Sequence, residues 1–185
     1  MRKIIPVTLL AGGVLAASIL LAILTASPAA AHIVLATPQA DSGAYYAGFF
    51  RVSHGCEGSP TVSIRISIPE GVESAKPQPK PGWTLTVERE DLARPIQGEG
   101  GPVTSRVTAI TWTGELADDQ FDQFGIMMKL PAAAGPLYFP AQQTCRDGAR
   151  DWVQIPADGQ AWGALESPAP VLTLSAPAPD PHAGH

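Results

Sequence analysis

Between residues 62 and 68 the chain alternates: Val62, Ile64, Ile66 and Ile68 are apolar, while Ser63, Arg65 and Ser67 between them are polar. A period of two puts the apolar set on one face of an extended strand, and Pro69, Glu70 and Gly71 then stop it. Weaker runs of the same kind occupy 45–53, 83–87, 106–113, 124–130, 137–141 and 152–155. Turn-forming clusters separate them: Asp41-Ser42-Gly43, Pro79-Lys80-Pro81-Gly82, the glycines of 98–101, Ala134-Gly135-Pro136 and Asp147-Gly148. Nothing beyond residue 31 repeats apolar positions at helical spacing. Short strands divided by regular turns predict an all-β chain, an antiparallel β-sandwich of two sheets in the immunoglobulin or cupredoxin manner. Past Glu166 the composition turns to Ala and Pro; 171–174 predicts a last strand and 176–185 a flexible Ala/Pro/His tail.

The start of the chain follows a different pattern. Met1-Arg2-Lys3 is basic, residues 4–24 are mostly apolar, and Ser27-Pro28-Ala29-Ala30-Ala31 precedes His32. A basic start, an apolar middle and small residues at a cleavage box predict a secretory signal peptide over 1–31, cut between Ala31 and His32. About 20 apolar residues would also suffice for an uncleaved membrane anchor. Gly12-Gly13, the polar breaks at Thr8 and Ser18 and the cleavage box favour removal. The processed chain is then secreted or held in the cell envelope, begins at His32 and is expected to have no transmembrane anchor. Residues 32–175 suffice for one domain with its own core.

Charge narrows the partners. The formal net charge is -5, and cleavage also removes Arg2 and Lys3, so a nucleic-acid role is disfavoured. The two cysteines, Cys56 and Cys145, are expected to form a disulfide in an oxidising compartment. Two thiolates on a soft metal are the alternative, and they require reducing surroundings.

Processing would create unusual chemistry at His32. A terminal amine, with a reference pKa near 8, and the imidazole Nδ1 of the same residue close a chelate ring on one metal ion. Cu(II) heads the stability order for such nitrogen pairs and accepts tetragonal N/O sites. If 32–39 and 45–53 form a hairpin, the turn at Ser42-Gly43-Ala44 lies near the midpoint between His32 and Glu57 and is expected to bring that carboxylate back beside the N-terminus. Asp147-Gly148 likewise reads as a hairpin turn between Cys145 and Trp152, which predicts those two nearly opposite each other. With Cys145 tied to Cys56, the stretches carrying His32, Glu57 and Trp152 converge as a metal site.

Plainer roles exist for each residue. Glu57 can be a solvated loop charge, Trp152 a core side chain, and His54 a strand-end histidine bonded to backbone rather than a second imidazole ligand. Trp83, Trp112 and Trp162 are read as packing or surface. Met127 and Met128 are adjacent and point to opposite faces of a strand, so they form no thioether pair. On the tail, His182 and His185 with Asp180 can hold a secondary Cu or Zn ion at the entropic cost of ordering the segment, or remain solvated.

The segment Phe50-Arg-Val-Ser-His-Gly-Cys-Glu-Gly-Ser-Pro-Thr61, followed by Ile68-Pro-Glu-Gly71, Lys76-Pro-Gln-Pro-Lys-Pro-Gly-Trp83, Leu137-Tyr-Phe-Pro140 and the stretch 145–156, resembles the YcnI-like secreted copper-binding proteins of bacteria. That resemblance implies a β-sandwich whose Cu(II) is held in a monohistidine brace by His32, Glu57 and a nearby Trp152. Glu70 and Glu73 are rivals for the carboxylate if the hairpin register differs. The implied role is an extracytoplasmic copper chaperone or homeostasis factor, not an enzyme, that buffers Cu(II) or exchanges it with a donor or acceptor protein outside the cytoplasm. Two alternatives stand beside it: a copper oxidase or oxygenase of the lytic polysaccharide type, and an adhesion-like sandwich without metal. A single brace histidine, a bulky Trp and no flat aromatic platform weigh against the oxygenase.

Overall fold

The computed structural model describes residues 32–98 and 100–176. The expected signal peptide and the tail histidines His182 and His185 lie outside the described residues.

Among the described residues there are twelve strands: β1 (Val34–Leu35), β2 (Gln39–Asp41), β3 (Tyr45–Val52), β4 (Thr61–Ser67), β5 (Ser74–Pro77), β6 (Thr84–Gly98), β7 (Gly101–Leu116), β8 (Asp122–Lys129), β9 (Gly135–Tyr138), β10 (Ala141–Cys145), β11 (Ala149–Trp152) and β12 (Val171–Ser175). They form a four-stranded sheet in the order β1-β3-β8-β5, a five-stranded sheet in the order β11-β10-β4-β7-β6, and a small sheet β2-β12-β9. Alternation dictates how the two larger sheets meet. Ile64 and Ile66 of β4 and Ile110 and Trp112 of β7 point inward, toward Phe50 of β3 and Phe124, Ile126 and Met128 of β8. The Trp112 and Phe124 rings meet edge-on at 5.4 Å across the interface. The predicted all-β antiparallel sandwich is therefore the observed one. Met127 is 47% exposed and Met128 fully buried, as neighbours on a strand require.

Several expected elements differ in extent. The segment 32–39 is not one strand paired throughout with β3. Val34 and Leu35 pair with Arg51 and Phe50, and after Pro38 the chain crosses to the small sheet, where Gln39 lies parallel to Thr173 of β12. Proline has no amide hydrogen to continue a ladder, so the change of sheet falls where the sequence loses a donor. Pro140 similarly divides the expected strand 137–141 into β9 and β10, and its carbonyl accepts the Ser67 amide at 2.8 Å. Strand β11 precedes the expected 152–155 and ends on Trp152. The β6–β7 hairpin is much longer than 83–87 and 106–113, because its outer part is solvated on both faces and carries no apolar alternation to read.

At the Pro79-Lys80-Pro81-Gly82 cluster, Gly82 takes φ 77° and the Trp83 amide donates to the Lys80 carbonyl, a turn with Pro81 and Gly82 at its centre. It delivers the Trp83 ring to within 5.0 Å of Phe124.

Candidate metal centre

His32 lies two residues before the first residue of β1, which forms the edge of the four-stranded sheet. Its ring is flanked by two indoles. The Trp152 centroid lies 5.5 Å away at an interplanar angle of 73°, and that of Trp162 lies 5.3 Å away at 59°. The His32 Nε2 is buried without a hydrogen-bond partner. Such an atom forgoes solvation without recompense, a cost of about 1–3 kcal/mol. Only in a chain cut before His32 would a free amine stand beside the imidazole, and with Nε2 buried the ring nitrogen that could close a chelate with it would be Nδ1, a nitrogen pair whose chemistry fits Cu(II).

Trp152 is fixed from behind. It is 3% exposed, and its indole N–H donates to Gln143 Oε1 at 3.2 Å. Gln143, 2% exposed, in turn donates from Nε2 to the His54 carbonyl at 2.7 Å and to Thr61 Oγ1 at 2.8 Å. One buried amide thereby joins β10 to β4, to the 53–55 segment and to the indole beside His32. Gln143 was absent from the sequence-based site. Its signal was a polar residue at an inward position of β10, between buried Ala141 and Cys145, where only a fully bonded side chain is tolerated.

The Cys56–Cys145 disulfide is formed, with the two Cα atoms 5.9 Å apart. The hairpin geometry expected around it needs correction. Thr144 pairs with Ala149, and the Cys145 amide donates to the Gly148 carbonyl, so Arg146 and Asp147 make the tip. Trp152 consequently lies opposite Ala141, about 14 Å along β10 from Cys145. The first hairpin is also displaced: extending the Val34–Arg51 register by two residues puts Ser53, not Glu57, opposite His32.

Glu57 instead sits in a two-residue turn. Cys56 and Ser59 exchange both backbone hydrogen bonds at 3.0 Å, while Glu57 and Gly58 have φ 53° and 88°. Positive φ at both central positions is the mark of a type I′ turn, which favours Asn, Asp or Gly over Glu. The Glu57 side chain, 85% exposed, accepts from Arg150 at 2.9 Å. Arg150 lies opposite Gln143, two residues before Trp152 and on the same face of β11. The structure therefore brings His32 and Trp152 into contact and leaves Glu57 away from them, paired with Arg150 beside the Cys56–Cys145 disulfide near the tip of the β10–β11 hairpin.

The rival carboxylates lie elsewhere. Glu73 precedes Ser74, which pairs with Lys129, itself opposite Tyr45, whereas His32 lies level with Ser53. Those ends of β3 are about 27 Å apart. Glu70 and Glu73 border a 340 Å³ cleft with Glu90 and Arg106. His54 follows the plainer expectation, its Nδ1 donating to the Gly55 carbonyl.

Trp162, expected to serve packing or surface, is a neighbour of His32. It belongs to a short 3-10 helix, Trp162–Ala164, in the loop between β11 and β12. No sequence periodicity announces this contact, because it depends on how that loop folds back.

Comparison with known proteins agrees with this architecture. The chain is 24% identical over 125 residues to the copper-binding protein CutI of Bacillus subtilis (strain 168), covering 66% of this chain and 54% of that relative, so it spans about half the relative's length. A crystal structure of an uncharacterized protein from Nocardia farcinica, described as immunoglobulin-like, matches with a TM-score of 0.57 and 31% identity over 78% of this chain and 98% of that one. Residues 32–174 match a domain family described as a domain of unknown function, DUF1775, and the chain belongs to that family.

Proposed function

We propose that the chain is an extracytoplasmic Cu(II)-binding protein that takes copper at a processed N-terminal His32, with Glu57 as a carboxylate donor and Trp152 as an adjoining wall, and buffers it or hands it to a partner outside the cytoplasm. The observation that carries the reading is the His32 ring held between Trp152 and Trp162 with its Nε2 buried and unpartnered. The likeness to the copper-binding protein CutI supports the choice of metal.

Ligation by Glu57 requires it to leave Arg150 and to swing from the 56–59 turn toward His32. That pair is solvent-exposed, and exposed ion pairs contribute only about 0–1 kcal/mol, so a metal–carboxylate bond readily replaces it. The same exchange in reverse suits release. An amine, one imidazole and one mobile carboxylate leave positions for an incoming ligand before the old ones depart.

Copper titration of the chain starting at His32, in competition with a weak chelator, is expected to show one Cu(II) per molecule with quenching of indole emission. Failure to compete with that chelator would contradict the reading.

A further inference from the structure

We infer that Trp162, carried on a loop closed at its own neck, is a positioning residue for the copper-binding imidazole; this rests on the proposal that His32 binds copper. Trp152 belongs to the sandwich itself, the last residue of a strand with its indole N–H locked to buried Gln143. Trp162 approaches His32 from a different element. After β11 the chain makes a loop over 155–166 and returns to Gln154, where the Gln154 amide donates to Ser167 O at 3.0 Å, the Ala169 amide to Gln154 O at 2.8 Å, and the Ser167 amide to Gln154 Oε1 at 2.7 Å. Three bonds at one residue close the neck, the arrangement of a compact Ω-type loop.

Within that loop the Gln160 amide donates to the Ala157 carbonyl, and Gly159 has φ 78°, turning the chain toward the 3-10 helix. The Trp162 indole N–H donates to the Ala169 carbonyl at 2.8 Å, just beyond the neck. The ring is held at that edge while its outer part stays solvent-accessible, in contrast to Trp152.

His32 has no hydrogen bond from its buried Nε2 to orient it, so its ring plane is set by what packs against it. Trp152 supplies an edge contact on one side and Trp162 a tilted contact on another. Removing either leaves the imidazole free to turn about its side-chain torsions, and a chelate whose imidazole can rotate away releases its metal faster. Because Trp162 is on the loop, the sandwich core does not depend on it.

The test uses the chain starting at His32 with Trp162→Ala and Trp162→Phe. In the metal-free proteins, the His32 ring-proton resonances are read by NMR. Trp162→Ala is expected to move them toward solvent-exposed values, and Trp162→Phe to retain most of the displacement. Cu(II) loss to an excess of chelator is then followed by stopped flow. Supporting residues around a metal ligand typically alter affinity by about 10–100-fold, and Trp162→Ala is expected to raise the release rate at the low end of that range, with a changed paramagnetic resonance spectrum and rescue by Phe. Unchanged His32 resonances or an unchanged release rate in a folded Trp162→Ala protein would overturn the inference while leaving copper binding intact. A parent protein that fails to bind copper at His32 would overturn both this inference and the proposed function.

Discussion

Glu57 occupies a backbone position that glycine holds at lower cost. A non-glycine residue in the left-handed region costs roughly 1–2 kcal/mol, and the exposed Arg150 pair returns only part of that. Glu57→Gly is therefore expected to raise stability by about 1 kcal/mol in chemical denaturation while weakening Cu(II) binding; a variant that gains stability and keeps full copper affinity would remove Glu57 from the ligand set. Gln143 makes the opposite case. Gln143→Leu would strand the Trp152 N–H and the His54 carbonyl inside the protein, and a loss of about 1–3 kcal/mol is expected from urea melts, with altered Trp152 emission. Loss of stability without any change in emission would separate this amide from the site beside His32.

At the scale of elements, the disulfide joins the strained 56–59 turn to the tip of the β10–β11 hairpin across a sequence separation of 89 residues. Replacing both Cys56 and Cys145 by Ser is expected to cost about 2–5 kcal/mol, read from thermal unfolding. Trp152 lies far up the same hairpin, and its contact with His32 is expected to survive; the metal-free NMR signature of the His32 ring checks this. The same elements show what could be read in advance. Strand β4 was legible because its inward residues are committed to the core and its outward ones to solvent. Both expected pairings differ from the observed ones: the Ser42-Gly43-Ala44 turn lies close to the true centre of the first hairpin, which sets Ser53 rather than Glu57 level with His32, and Asp147-Gly148 lies one residue beyond the true centre of the second. In the second hairpin Gly148, with φ 87°, follows the tip rather than forming it, and in the first Pro38 ends the pairing early. Two register errors moved Glu57 and Trp152 in the ladders, yet His32 and Trp152 still meet, through β1 on one side and β11 on the other. The part played by Trp162 was illegible, since it depends on closure of a loop at Gln154 and on no local pattern.

For the molecule as a whole, His32 lies at the end of β3 opposite the one that carries Tyr45 and neighbours Glu73. Two features converge on the His32 end: the wall of indoles and the terminal amine that cleavage after Ala31 would expose. Protons compete with copper for that amine, whose reference pKa is near 8, so affinity is expected to fall steadily as pH drops below that value, measured by titration at several pH values. A pH-independent affinity would exclude the amine as a ligand. The most direct test of the central claim compares Cu(II) binding and paramagnetic resonance for the chain starting at His32 with the same chain carrying one extra residue ahead of it. The account predicts one tight tetragonal N/O site in the first and its loss in the second. Equal affinity and identical spectra for the two proteins would contradict it.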